Sequence, residues 1–553
     1  MTLTDFLQHW SLTENPFKGE EARSDQVFSR MATRERATLL PVDGLAPTPA
    51  PPAAADLAAI PVDAAAAPSP SVPAPRPRAL DGTLFHSDFE KILGDLRRPA
   101  SSVVFGEKGS GKTAIRLQIA RRVGEHNAAN PGAKVLLVGY DDLNGTLDRL
   151  HERLGGKTPL ESLQKTRLVD HMDAILHRVV PRVVDAILGV APTDESLDLG
   201  DPRRPARRLD PSARRDLLLL QTLYDRPDVA PDRTRALRRR LGIWAPANVV
   251  WGSLFLYLTP LLLLAAFIYT RYVAPPSTVR DYAPYALAGV AALYALFAFK
   301  HGVYDRLALL RTAHRVKRQL RVIPRGDISY ARSLRHLAPA LRDPAHLPVS
   351  DSDDPRYALL DRLRRVLRAF GYAGLVVVID RVDEPTLVSG DPDRMKAVVW
   401  PLLNNKFLQQ EGVGLKLLLP MELRHAVFRE SSAFFQEARL DKQSLIEHLA
   451  WTGPMLYDLC EARMAACRHD SAQPAALLDL FAADVTRQDL VDALDRVHQP
   501  RDAFKLLYRC LTDHCANVTR GENQWKIPRH VLLNVQKSET ERVQQMYRGI
   551  RPG

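Results

Sequence analysis

Eight residues in this chain have the types and spacing needed to hold a phosphate chain: Gly106-Glu107-Lys108-Gly109-Ser110-Gly111-Lys112-Thr113. They satisfy G-x-x-x-x-G-K-[ST]. The three glycines let backbone N–H groups curl around phosphate oxygens, and a helix starting at the end of the loop adds its positive dipole end. Lys112 is expected to reach the β and γ phosphates, and the Thr113 hydroxyl to bind Mg²⁺. A second group lies far downstream. Five apolar residues, Leu375 to Ile379, run into Asp380-Arg381-Val382-Asp383-Glu384. An acid closing a buried strand is a natural Mg²⁺ partner, which assigns Asp380 to the metal. Asp383 and Glu384 follow one short turn later. Either one is placed to orient and deprotonate a water attacking the γ phosphate, and the residues alone do not choose between them. Arg381 reads most simply as a partner for these acids.

The elements that must position these groups follow from periodicity. Ser102 to Phe105 is a short buried strand, Lys112 to Val123 an amphipathic helix, and Lys134 to Val138 a second strand. His86 to Leu96 has helical spacing, residues 157–190 are mostly helical, and Arg214 to Tyr224 is a leucine-rich helix. Tyr357 to Phe370 is a helix feeding the acidic strand. Leu415 to Leu419 is a further strand expected beside the acidic one, with Pro420, Glu422 and Arg424 after it as the only polar neighbours on offer. Beyond about 440 the chain reads as helical. There Ile527-Pro528-Arg529-His530 opens a helix; Arg529 is the candidate to reach back to the phosphates, against the default reading of a surface arginine.

Between the two chemical motifs lie two uncharged apolar segments, 249–270 and 282–299. The first has 22 residues and the second 18, against the roughly 20 needed to cross a bilayer. Neither shows the polar stripe of a soluble helix. Five arginines occupy 233–240 before the first span, and Lys300, Arg306, Arg311, Arg315, Lys317, Arg318 and Arg321 follow the second. The connecting loop from Arg271 to Asp281 carries two arginines and one aspartate. By the positive-inside rule both flanks face the cytoplasm, which implies a multi-pass protein of the inner (cytoplasmic) membrane with both termini and the nucleotide domain inside. Two spans without buried charge offer no transport pathway.

Bulk properties bound the rest. The chain has 553 residues, a formal net charge of +12 and a pI near 9.5, enough for two or three domains. The arginines crowd the region before the apolar pair, so the excess charge reads as membrane-side charge, with nucleic acid the weaker reading. Cys460, Cys467, Cys510 and Cys515 match no zinc spacing or secreted disulfide framework, and the histidines form no metal cluster. The first ten residues carry no basic segment followed by an apolar run, so no signal peptide is expected. Residues 41–80 hold 11 Pro and 13 Ala and read as an extended linker. The expected division is an N-terminal segment 1–40, that linker, a nucleotide-domain first part 81–245, a hairpin 246–300, a second part 301–440 and a helical lid 441–553.

The loop at 106–113 together with Asp380, Asp383 and Glu384 resembles the signal-transducing STAND branch of P-loop NTPases, kin of the AAA+ ATPases. A pair of membrane helices between the two motifs resembles the KAP NTPases, which more often carry Asp-Asp-x-Asp-Arg where this chain has Asp-Arg-Val-Asp-Glu. Leu12-Thr13-Glu14-Asn15-Pro16-Phe17 is similar to the opening of bacterial AAA ATPases serving secretion and transposition. Pro528-Arg529 resembles the Pro-Arg of the lid helix in STAND and origin-recognition ATPases. These resemblances imply an α/β, parallel-sheet P-loop NTPase with an inserted transmembrane hairpin and a C-terminal helical lid. They imply ATP and Mg²⁺ as ligands, a switch role in signalling or defence-type complexes, and a homo-oligomer or protein partner. A motor or assembly ATPase, or a slow scaffold, stands as the alternative. No base-reading motif separates ATP from GTP.

Overall fold

The computed structural model describes residues 1–19, 22–31, 86–190, 197–199, 208–244, 247–273, 278–428, 439–440, 443–469, 475–519 and 522–547. The linker at 41–80 lies outside them. The fold is α/β, with one parallel five-stranded sheet among many helices. Its strands are β1 (Ser102–Gly106), β2 (Lys134–Gly139), β3 (Tyr372–Ile379), β4 (Val413–Pro420) and β5 (Ser444–Ile446). They lie in the order β2-β3-β4-β1-β5.

The sequence explains the central strands. Val103-Val104-Phe105, Leu375 to Ile379 and Leu417 to Leu419 are unbroken apolar runs, as strands covered on both faces require. Every residue of β1 and β4 is buried. Register sets Gly106 beside Pro420, and Ile379 beside Leu417. The strand at 415–419 thus lies beside the acidic strand, as its composition suggests. β5 is a difference: the region beyond 440 reads as helical, yet Ser444–Ile446 pairs with β1. Three residues are too few for a period to show.

The helices shift at their ends for local reasons. Lys112–Ala129 runs a turn and a half beyond its expected end. The helix near residue 90 is only Phe89–Leu93 and stops at Gly94, whose φ is +65°. The 157–190 region divides into Pro159–Leu163, capped by the Thr158 hydroxyl, and the long Leu168–Leu188. Pro211–Tyr224 begins where the Asp210 carboxylate accepts the N–H of Ala213 at 2.6 Å. These helices fill the long β2-to-β3 connection. Their buried acids are matched by arginines: Asp185 and Asp225 hold Arg233 at 2.7 and 2.8 Å, and Asp216 holds Arg362 and Arg365. Matching of this kind is what buried charge requires.

Ala247–Ile268 and Thr278–Phe299 are helices of 22 residues each, about 33 Å long at the α-helical rise. The Tyr294 hydroxyl donates to the Leu256 carbonyl at 2.8 Å, joining them. Large apolar side chains such as Leu261, Leu293 and Leu296 face outward. By length and composition alone, the helical stretch Tyr282–Gln319 is long and apolar enough to cross a membrane, and Leu254–Ile268 is a shorter apolar helix.

The chain divides into two compact units. One comprises Asp88–Lys108 and Arg116–Leu449 and contains the sheet, the helical insertion and the apolar helices. The other comprises Met1–Ser87, Gly109–Ile115 and Ala450–Gly553. In this second unit the N-terminal segment is built into the C-terminal helices. Arg463 donates to the Pro16 carbonyl at 2.6 Å and pairs with Asp25 at 2.6 Å, and Thr13 N–H donates to the Cys467 carbonyl at 2.8 Å.

Lys416 is the one cation in the middle of β4. It is buried, and its Nζ donates to the carbonyls of Leu93 and Ala100 at 2.8 and 2.7 Å. Burial lowers its pKa from 10.5 to about 7. Between about pH 7 and pH 10 the unfolded chain therefore binds a proton that the folded chain lacks, and stability rises with pH across that window. Lys416→Met is expected to flatten this rise, measured by denaturant titration of both proteins across it. An identical slope in the two would show that Lys416 is not the group responsible.

Candidate phosphate-binding loop and acidic strand end

In the sheet unit, β1 and β3 are parallel, so Gly106 and Asp380 stand at the same edge with β4 between them. Glu107 lies 3.7 Å from His448, and Lys108 is exposed. Asp380 is almost fully buried, and one of its carboxylate oxygens accepts the Arg381 N–H at 3.0 Å. Arg381 has φ +60°, a left-handed conformation unusual for a residue with a side chain. The turn is closed by Glu384 N–H donating to the Arg381 carbonyl at 3.3 Å and by Gly390 N–H donating to the Asp383 carbonyl at 3.0 Å. Val382 anchors it in the core. Asp383 is half-buried. Glu384 is exposed and lies 3.2 Å from the Arg381 guanidinium. Arg381 thus serves as the partner of an acid, as its position suggests. Arg424, after β4, is paired with Glu447 at 2.9 Å.

In the other unit, Gly109 and Gly111 have φ of +104° and +94°. Both values belong to the left-handed region that glycine enters without strain, and consecutive N–H groups turn inward there. The helix then starts, with Ile115 N–H donating to the Gly111 carbonyl at 2.9 Å. The loop is held from the C-terminal helices. Trp451 Nε1 donates to the Ser110 carbonyl at 2.8 Å, and the Trp451 ring meets His86 edge-on at 5.0 Å. His86 in turn donates from Nε2 to the Ala450 carbonyl at 2.7 Å.

Arg501 is the arginine packed on this loop. A Cβ placed on Gly109 would stand 2.9 Å from Gln499 Oε1 and 3.1 Å from Arg501 Cβ. Arg501 lies in the first turn of the helix Pro500–Asn517. Arg529 is engaged elsewhere, with Asp489 at 2.6 Å and the Asp484 carbonyl at 3.4 Å. Sequence reasoning passed over Arg501, although its signal is the same: both Pro500-Arg501 and Pro528-Arg529 stand at a helix start. Among the described residues, no cluster of three or more His, Cys, Asp or Glu could form a metal site by itself.

Comparison with known proteins gives no match to a family model and no significant match to a curated protein or a solved structure. The functional reading rests on these residues.

Gly109→Ala forces a side chain into a left-handed position against Gln499 and Arg501. It is expected to lower stability by about 1–3 kcal/mol, read as a drop in melting temperature. An unchanged melt would contradict the tight packing described for this loop.

Proposed function

We propose that this chain is a membrane-anchored, Mg²⁺-dependent ATP-binding and ATP-hydrolysing switch, a P-loop NTPase of the AAA+/STAND type with a KAP-like hairpin. One observation carries the reading. The phosphate-loop sequence leaves the end of β1, and the acidic turn leaves the end of β3 at the same edge of one parallel sheet. Ligands of open parallel sheets bind at that edge.

In this reading Lys112 and the loop amides hold the phosphates, and Thr113 and Asp380 hold Mg²⁺. The ion supplies charge neutralisation at the β and γ phosphates. Asp383 or Glu384 orients the attacking water. Asp383 is braced by the turn, whereas Glu384 must leave Arg381 to act. Arg501 adds positive charge beside the loop where negative charge develops, a role that Arg529 would need to give up its partners to perform. The two helices Ala247–Ile268 and Thr278–Phe299 anchor the switch. Their outward apolar side chains and arginine-rich flanks support cytoplasmic exposure of the sheet.

Two experiments test this. In turnover assays of the full chain in lipid nanodiscs, Lys112→Ala is expected to reduce ATP hydrolysis to background. Removal of the true base, by Asp383→Asn or Glu384→Gln, should cost about 10²–10⁴-fold. Arg501→Ala should cost about 10²-fold. Wild-type turnover no greater than that of Lys112→Ala, with any nucleoside triphosphate, would refute hydrolysis. A topology reporter fused at residue 276 is expected to report the periplasmic side, and a cytoplasmic signal there would refute the hairpin.

A further inference from the structure

A cavity of about 520 Å³ opens beside the C-terminal end of β2, within the sheet unit. Its walls come from the helices Asn144–Leu154 and Leu168–Leu188 and from the start of Lys112–Ala129. β2 is an edge strand, separated from β1 by β3 and β4. At the interstrand spacing the ends of β2 and β1 are roughly 14 Å apart. Among the described residues, five arginines and one carboxylate, Asp141, line it.

Four of the five arginines fall into two groups. Arg116 pairs with Asp141, and Arg226 pairs with Asp185 at 2.6 Å, so these two are matched by acids. Arg149 donates to the Val322 carbonyl at 3.0 Å. Arg178 donates to the carbonyls of Gly139, at 3.1 Å, and Asp142. At Arg149 and Arg178, bonds to carbonyls fix the plane of the guanidinium and leave its charge in place. His177 adds no charge at neutral pH. Burial lowers its pKa, and Arg149 and Arg178 lower it further. Its Nδ1 donates to the Tyr224 carbonyl at 2.8 Å, which leaves Nε2 as an acceptor facing the cavity wall. Val138, Ala174 and Pro181 supply an apolar side.

We infer that this cavity is a second anion site, built for a phosphate ester with a small organic body. Fixed guanidinium forks match phosphate oxygens, and the volume lies within the range of small-ligand pockets. A soluble phosphorylated metabolite and the phosphate headgroup of an anionic lipid share this chemistry.

The test is calorimetric titration of inorganic pyrophosphate into the full chain in phosphatidylcholine nanodiscs. The Lys112→Ala variant is expected to retain one pyrophosphate site. Adding Arg149→Gln and Arg178→Gln is expected to weaken that site by at least about tenfold, or about 1.4 kcal/mol. Glutamine keeps an N–H donor for the anchoring carbonyls, so the melting temperature should hold. Arg149→Lys, which keeps the charge, should retain more binding than Arg149→Gln. Absence of pyrophosphate binding in Lys112→Ala, or binding undiminished by the two glutamines, would overturn the inference. If Lys112→Ala does not reduce the wild-type stoichiometry while the glutamines abolish a site, the cavity stands and the phosphate-loop reading falls. Phosphatidylglycerol nanodiscs assign the source: competition there identifies a lipid headgroup, and unchanged affinity a soluble ester.

Discussion

A parallel sheet fixes the distance between two strand ends, and the proposed nucleotide chemistry of this chain depends on one such distance. β4 lies between β1 and β3, so their carboxyl ends are two strand spacings apart, roughly 10 Å. In the proposed reading a phosphate chain and a hydrated Mg²⁺ lie over that gap. The gap is rigid because β4 is buried on both faces along its whole length. Lys416, its one ionisable side chain, is buried too, with two carbonyls accepting from its Nζ. Rigidity at this edge matters for the proposed chemistry, since most of the barrier in phosphoryl transfer is met by positioning and electrostatics.

At the end of β3 the chain holds a backbone conformation that costs energy. Gly109 and Gly111 turn the loop into the left-handed region without strain, whereas Arg381 does so with a side chain attached. Arg381 is offset by its hydrogen bond to the Asp380 carboxylate, its ion pair with Glu384 and the burial of Val382 next to it. Strain held by surrounding contacts is common where backbone must present a group in one orientation. In the proposed reading the group is the carboxylate of Asp380.

The parts legible in the sequence were those with strong local signals. The glycine-rich loop, the apolar strands and the order of motifs need no tertiary information, and the placement of β4 beside β3 followed from its composition. What was hidden depended on three-dimensional contact. β5 is too short to show a period. Arg501 and Arg529 carry the same Pro-Arg signal at a helix start, and only packing separates the one against Gly109 from the one bound to Asp489. The arginines before the apolar helices read as membrane-side charge. Arg233 instead pairs with the buried Asp185 and Asp225. Composition counts charges without showing which of them are already matched.

The central claim is that the loop at 106–113 holds a nucleoside triphosphate with Mg²⁺ between Thr113 and Asp380. A structure of the full chain in nanodiscs, solved with a non-hydrolysable ATP analogue and Mg²⁺, tests it most directly. The account predicts triphosphate density against the loop amides and Lys112, with the ion contacting the Thr113 hydroxyl and Asp380 directly or through water. An empty loop at saturating analogue, or the analogue bound only elsewhere, would contradict it.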